Sequence, residues 1–122
     1  MSDIEMINAV TLVTADMDVS CAFYAAMGFE RVVGGPGTAF TTYQVGDGFL
    51  NVQLDPGHAP IPAIWGRVIF WVGDVDATYQ RALAHGCTPE TVPADAPWGE
   101  RYFHLRDPDG HELSFAKLIA GS

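Results

Sequence analysis

Two short runs of apolar and β-branched residues, 10–14 and 68–72, are the clearest signals in the chain. Each predicts a strand. Each is followed by a pair of aspartates, Asp16 and Asp18 or Asp74 and Asp76, then by a stretch of helical spacing that stops at Gly28 or Gly86. Val10 and Val68, Asp16 and Asp74, Asp18 and Asp76, and Gly28 and Gly86 all lie 58 positions apart. One offset repeated at four places predicts a duplicated unit. The helices are expected to begin on Asp18 and Asp76, whose carboxylates can accept first-turn N–H groups. In the first helix Val19, Ala22, Phe23, Ala26 and Met27 recur at helical spacing, and in the second Ala77, Tyr79, Gln80, Ala82 and Leu83. Gly28 and Gly86 sit where a helix stops in the left-handed conformation.

Further strands are expected at 40–45 and 49–54, joined by Gly46-Asp47-Gly48, and at 101–106 and 112–118, joined by Asp107-Pro108-Asp109-Gly110. Between the halves, Asp55-Pro56-Gly57-His58-Ala59-Pro60-Ile61-Pro62 is stiffened by proline. It reads as a crossover, because neither half alone is large enough for a good core. The expected organisation is one domain over 1–122, with a first module at 5–55, a linker at 56–63 and a second module at 64–119.

The chain has 122 residues, 6 basic and 15 acidic, for a net charge of −9. Nucleic acid is a poor partner for that surface, since binding it needs Lys and Arg against phosphate. The acidic field favours a cationic ligand, or serves solubility alone. No apolar run is long enough to span a membrane, and the first ten residues do not read as a signal or transit peptide. Cys21 and Cys87 lack metal-ligand or CxxC spacing and read as two buried, reduced thiols of a cytoplasmic protein.

Three segments carry a resemblance. They are Ile7-Asn8-Ala9-Val10-Thr11-Leu12 through Asp16 to Phe23-Tyr24 and Gly28-Phe29, the stretch from Val68 to Asp74, and Pro97-Trp98-Gly99-Glu100-Arg101 through Asp107-Pro108-Asp109-Gly110-His111 to Phe115. Together they resemble the vicinal oxygen chelate superfamily, which includes glyoxalase I, bleomycin- and fosfomycin-resistance proteins and extradiol dioxygenases. The resemblance implies an α+β fold of two tandem βαβββ modules, forming a curled mixed sheet around a cleft, and a homodimer. In metal-dependent members four positions supply His or Glu ligands to a divalent ion. Those positions here are Ala9, Gln53 (or Asn51 if the register slips), Arg67 and Ser114. Alanine has no lone pair and arginine stays protonated. The usual metal site is therefore expected to be absent, and no cofactor is expected.

Alternation from those positions turns Thr11, Val13, Phe49, Asn51, Gln53, Arg67, Ile69, Trp71, Glu112, Ser114 and Ala116 toward the cleft. Val10, Leu12, Leu50, Val52, Leu54, Val68, Phe70, Val72, Leu113 and Phe115 form the core under the helices. Phe103 and Leu105 are expected against the helix, which turns Tyr102 and His104 to the cleft. His58, His85 and His111 read as solvated surface residues. Trp65 and Trp98, in Gly/Pro-rich connections, and Trp71 are candidate ligand walls. Arg67 would suit an acidic ligand oxygen or pair internally with Glu112. Pro97-Trp98-Gly99 and Leu105-Arg106-Asp107-Pro108 resemble the bleomycin-resistance proteins in particular. The expected function is metal-free binding of a small aromatic or cationic molecule, with antibiotic sequestration as its most concrete form. The alternatives are an enzyme using His104, Tyr102, Arg67 or Glu112, and a metal-dependent lyase, isomerase or dioxygenase with rearranged ligands.

Overall fold

The structure, a computed structural model, describes residues 2–63 and 65–119; Ile64, expected to open the second module, lies outside the described residues. The chain divides into two compact units, Met1–Ala59 and Pro60–Ser122. The first carries β1 (Ala9–Thr14), α1 (Met17–Ala26), β2 (Glu30–Val33), β3 (Phe40–Val45) and β4 (Gly48–Leu54). The second carries β5 (Val68–Trp71), α2 (Val75–Ala84), β6 (Ala94–Asp95), β7 (Glu100–Arg106) and β8 (Glu112–Leu118). The sheet orders are β1-β4-β3-β2 and β5-β8-β7-β6. In both, the first strand runs parallel to the last and the other pairs are antiparallel. The duplicated sequence thus folds twice into the same α+β unit. Among the described residues no helix is long and apolar enough to cross a membrane.

Both helices start two residues earlier than expected. Asp16 and Asp74 are the N-caps: Asp16 accepts from the N–H groups of Asp18 and Val19 at 3.0 and 3.2 Å, and Asp74 from Ala77 at 3.0 Å. Each cap has extended backbone, as a cap requires. Asp18 and Asp76 lie in the first turn and bind elsewhere. Asp18 accepts from Gly37 N–H at 2.9 Å, and Asp76 holds Arg101 of β7 through two bonds of 2.9 and 3.0 Å. Both helices end as expected, at Gly28 (φ 91°) and Gly86 (φ 87°).

The buried faces of the helices also differ in phase from the expectation. α1 buries Met17, Ser20, Cys21, Phe23 and Tyr24, while Val19 and Ala22 face out. Tyr24 fixes this phase. It is fully buried, with its ring 4.9 Å from Phe23, 5.1 Å from Phe29 and 5.4 Å from Tyr43. α2 buries Val75, Thr78 and Ala82, while Gln80 and Leu83 are exposed. In the second core, Phe70, Phe115 and Phe103 are register partners on three adjacent strands and stack at 5.6 and 5.4 Å. Tyr79 of α2 meets Phe103 edge-on at 5.3 Å. The strand alternation holds. Leu12, Leu50, Val52, Phe70, Leu113 and Phe115 are buried, and Val10, Leu54, Val68 and Val72 half-buried. Cys21 is buried, but Cys87 is only half-buried, because it follows the helix stop instead of packing under it.

Candidate functional site

The open face of the second sheet is built in rows by strand register. Glu112 and Arg106 form the first row, which Arg67, just before β5, reaches with its side chain; Ile69, Ser114 and His104 form the second; Trp71, Ala116 and Tyr102 the third; Leu118 and Glu100 the fourth. A cavity of about 210 Å³ crosses these rows, lined by Arg67, Ile69, Trp98, Glu100, Tyr102, His104, Ser114 and Ala116. All eight residues belong to the second unit.

Trp98 reaches the cavity from the tight connection between β6 and β7. Gly99 closes that connection with a φ of 92°, and its N–H donates to Ala96 O at 3.0 Å. Trp98 is 69% exposed, yet its ring lies within 19° of parallel to Tyr102, at a centroid distance of 6.2 Å. Tyr102 in turn meets the His104 ring at 5.0 Å. His104 Nδ1 and Ser114 Oγ are hydrogen-bonded at 2.6 Å. Thr91 and Glu90 bracket the His104 backbone, with His104 N–H donating to Thr91 Oγ1 and Glu90 N–H to His104 O, both at 2.9 Å. Burial holds the imidazole below its ordinary value of 6.5, and Arg67 adds to this while Glu90 opposes it.

Glu112, two residues before the lining Ser114 on β8, is only 2% exposed and lies 3.3 Å from both Arg67 and Arg106. Arg106 also contacts Glu90 at 3.4 Å and donates to Ile61 O at 3.2 Å. Burial, and then the neighbouring Glu90, push the Glu112 carboxyl up against the opposing pull of Arg67. Glu90 is held below its ordinary value, chiefly by its contact with Glu112.

Among the sequence candidates, Arg67, Trp98, Tyr102, His104 and Ser114 meet at this cavity, and Glu112 pairs with Arg67. Trp71 shares the face but not the lining; the Lys117 ammonium sits 5.9 Å from its ring centroid. Trp65 stays exposed in its loop and donates from Nε1 to His111 Nδ1 at 3.4 Å. His111 is therefore buried, not a solvated surface residue, because the Asp107 carboxylate draws its N–H inward at 2.9 Å. His58 is half-buried and His85 exposed. Phe49, Asn51 and Gln53 belong to β4 of the first unit. There Asn51 links Thr42 and Thr11 across the sheet at 2.8 and 3.3 Å. Glu100 was missed as a lining residue, although it has the parity of Tyr102 and His104. Glu90 carried no signal, since it sits in a connection whose path alternation does not fix.

The sequence profile of the Glyoxalase/Bleomycin resistance protein/Dioxygenase superfamily matches residues 6–115. The chain belongs to this superfamily. It is 32% identical over 114 residues to the "Putative glyoxylase CFP32" of Mycobacterium tuberculosis, covering 87% of this chain and 41% of that one. The matches span between 28% and 41% of the length of the curated relatives. Among solved structures, a bleomycin-binding protein complexed with bleomycin is 25% identical with a TM-score of 0.71, over 93% of this chain and 98% of that one. TioX from Micromonospora sp. ML1 is 25% identical with a TM-score of 0.74, over 94% of this chain and all of that one. The resemblance matches the superfamily's metal-ligand positions to Ala9, Gln53 or Asn51, Arg67 and Ser114; in the register Asn51 faces Thr11 as Ser114 faces Ile69, which favours Asn51 over Gln53. Ser114 Oγ is engaged by His104, and Arg67 brings a guanidinium to the same cavity. Ala9 has no lone pair to offer and Arg67 stays protonated, so neither fits as a ligand to a divalent cation.

Proposed function

We propose that the chain is a metal-free small-molecule binding protein that grips a planar aromatic ligand and performs no reaction on it. Sequestration of an aromatic or cationic antibiotic is the most concrete form of this reading. The observation that carries it is the near-parallel pair of Trp98 and Tyr102 at the cavity. A tryptophan left this exposed stabilises the fold little, but it offers a flat wall to a ring at low entropic cost. The likeness to a bleomycin-binding protein supports the same direction. On this reading the chain works in the cytoplasm, as a homodimer that covers Trp71 and Leu118, each at least half exposed on the open face. Sedimentation of the purified protein tests that state, and a monomer at micromolar concentration would reject it.

The binding test is calorimetric titration with bleomycin and a panel of planar aromatics, followed by mass spectrometry of the recovered ligand. Saturable binding and an unchanged ligand are expected. Trp98→Ala should weaken binding by about 1–3 kcal/mol. Absence of binding across the panel, or an unaltered affinity in the variant, sinks the reading. The His104–Ser114 bond of 2.6 Å favours a second reading, a superfamily enzyme using the imidazole as acid or base. A chemically changed ligand recovered from the wild type, and not from His104→Gln, would establish that instead.

A further inference from the structure

The cavity has a polarity along its strands. Arg67 reaches the first row through Glu112, His104 and Ser114 lie in the second, Tyr102 in the third, and Glu100 in the fourth. The distance along β7 from His104 to Glu100 is about 13 Å at the usual rise per residue. One end of the groove is thus basic, the middle is aromatic, and the far end is acidic. The contact of Arg67 with Glu112 engages one of the five guanidinium N–H donors, and its side chain is a third exposed. Arg106 shares the Glu112 carboxyl from the other side. Arg106 also contacts Glu90 at 3.4 Å, and of these four charged side chains Arg67 is the one that lines the cavity. His104 Nδ1 is tied to Ser114 Oγ, which leaves Nε2 facing a ligand, as a donor when the serine hydroxyl donates to Nδ1.

We infer that the pocket selects planar aromatic acids, the carboxylate or phenolate oxygen at Arg67 and His104 and the ring against Tyr102 and Trp98. This rests on the binding function proposed above and names its ligand class. Glu100 fixes the orientation, because an acid placed at its end of the groove would be repelled. The selectivity is local. The field of a chain with net charge −9 draws a cation, so a preference for an anion must come from the groove itself.

The test is calorimetric titration with three ligands of one shape, naphthoate, naphthalenemethanol and naphthylmethylammonium. Naphthoate should bind about tenfold more tightly than the alcohol, as a charge-assisted hydrogen bond predicts, and the ammonium should bind more weakly than either. Arg67→Gln should bring naphthoate down to the affinity of the alcohol. Arg67→Lys, which keeps a charge beside Glu112, should retain the preference and guards against simple misfolding of the glutamine variant. Lys117→Gln removes a positive charge outside the cavity lining and should leave the ratio unchanged. Equal binding of alcohol and acid, tighter binding of the ammonium, or a preference that survives Arg67→Gln would overturn the inference while leaving a binding protein. If none of the three binds, the binding function falls and the inference with it.

Discussion

Glu112 concentrates the electrostatic risk of the second unit. A carboxyl 2% exposed is tolerable because two guanidiniums lie 3.3 Å away. Replacing it by alanine leaves Arg67 and Arg106 facing each other across a buried gap. Both arginines are a third exposed, so the loss is smaller than for a fully buried pair, about 2 kcal/mol. Urea denaturation of Glu112→Ala measures it, and an unchanged midpoint would show that the cluster is not structural. His104 gives a pH signature. Its folded value lies below 6.5, so just below pH 6.5 the unfolded chain binds the proton more readily. Stability should therefore fall as pH drops through and below 6.5, and His104→Gln should flatten that part of the curve. Glu112 runs the other way. Its value is raised above 4.5, so its contribution is present at low pH and is lost as pH rises through the raised value. Comparing His104→Gln with wild type across pH 5 to 8 isolates the imidazole.

The helices show how closely similar sequence signals compete. Two aspartates two residues apart precede each helix, and either could cap it. The first of each pair wins because its backbone is extended, at φ −146° for Asp16 and −142° for Asp74. Asp16→Ala should cost about 1 kcal/mol. Asp18→Ala, which loses only the exposed contact to Gly37, should cost less. Paired chemical denaturation orders the two, and the reverse order would refute the cap assignment. Gly86 is a clean test of the helix stop. Nothing lies within 4 Å of an added Cβ, yet its φ is +87°. Gly86→Ala should therefore lose about 1 kcal/mol through conformation alone. Strand alternation read correctly from sequence because side chains two apart must share a face. Helix phase did not, since Val19 looked like core and Ser20 did not. The choice was made by Tyr24 fitting against Phe29 just past the helix and against Tyr43 on β3, a strand the helical pattern does not sense.

For the molecule as a whole, acidity governs behaviour in solution. With a sequence pI of about 4.5, the protein should be least soluble near that pH. Light scattering across pH 4 to 8 should show a maximum there. The site, by contrast, is a feature of one unit. Of three tryptophans with similar claims in the sequence, Trp98 joins the cavity, Trp65 turns to His111, and Trp71 stands beside Lys117. Residue type could not separate them, because each sits where a wall residue would be useful.

The order of residues by itself determined the repeat, six of the eight strands among the described residues, the turns, the helix stops and the greasy face of each sheet; β2 and β6, short and almost wholly exposed, carry no alternation to read. The features it determined follow from local backbone geometry and from spacing along the chain. Tertiary structure alone decided which neighbours meet: the Glu112–Arg67–Arg106 cluster, the His104–Ser114 bond, and the Trp98–Tyr102 wall. Each depends on the register of β5, β8 and β7, and register is a relation between strands that no single strand encodes.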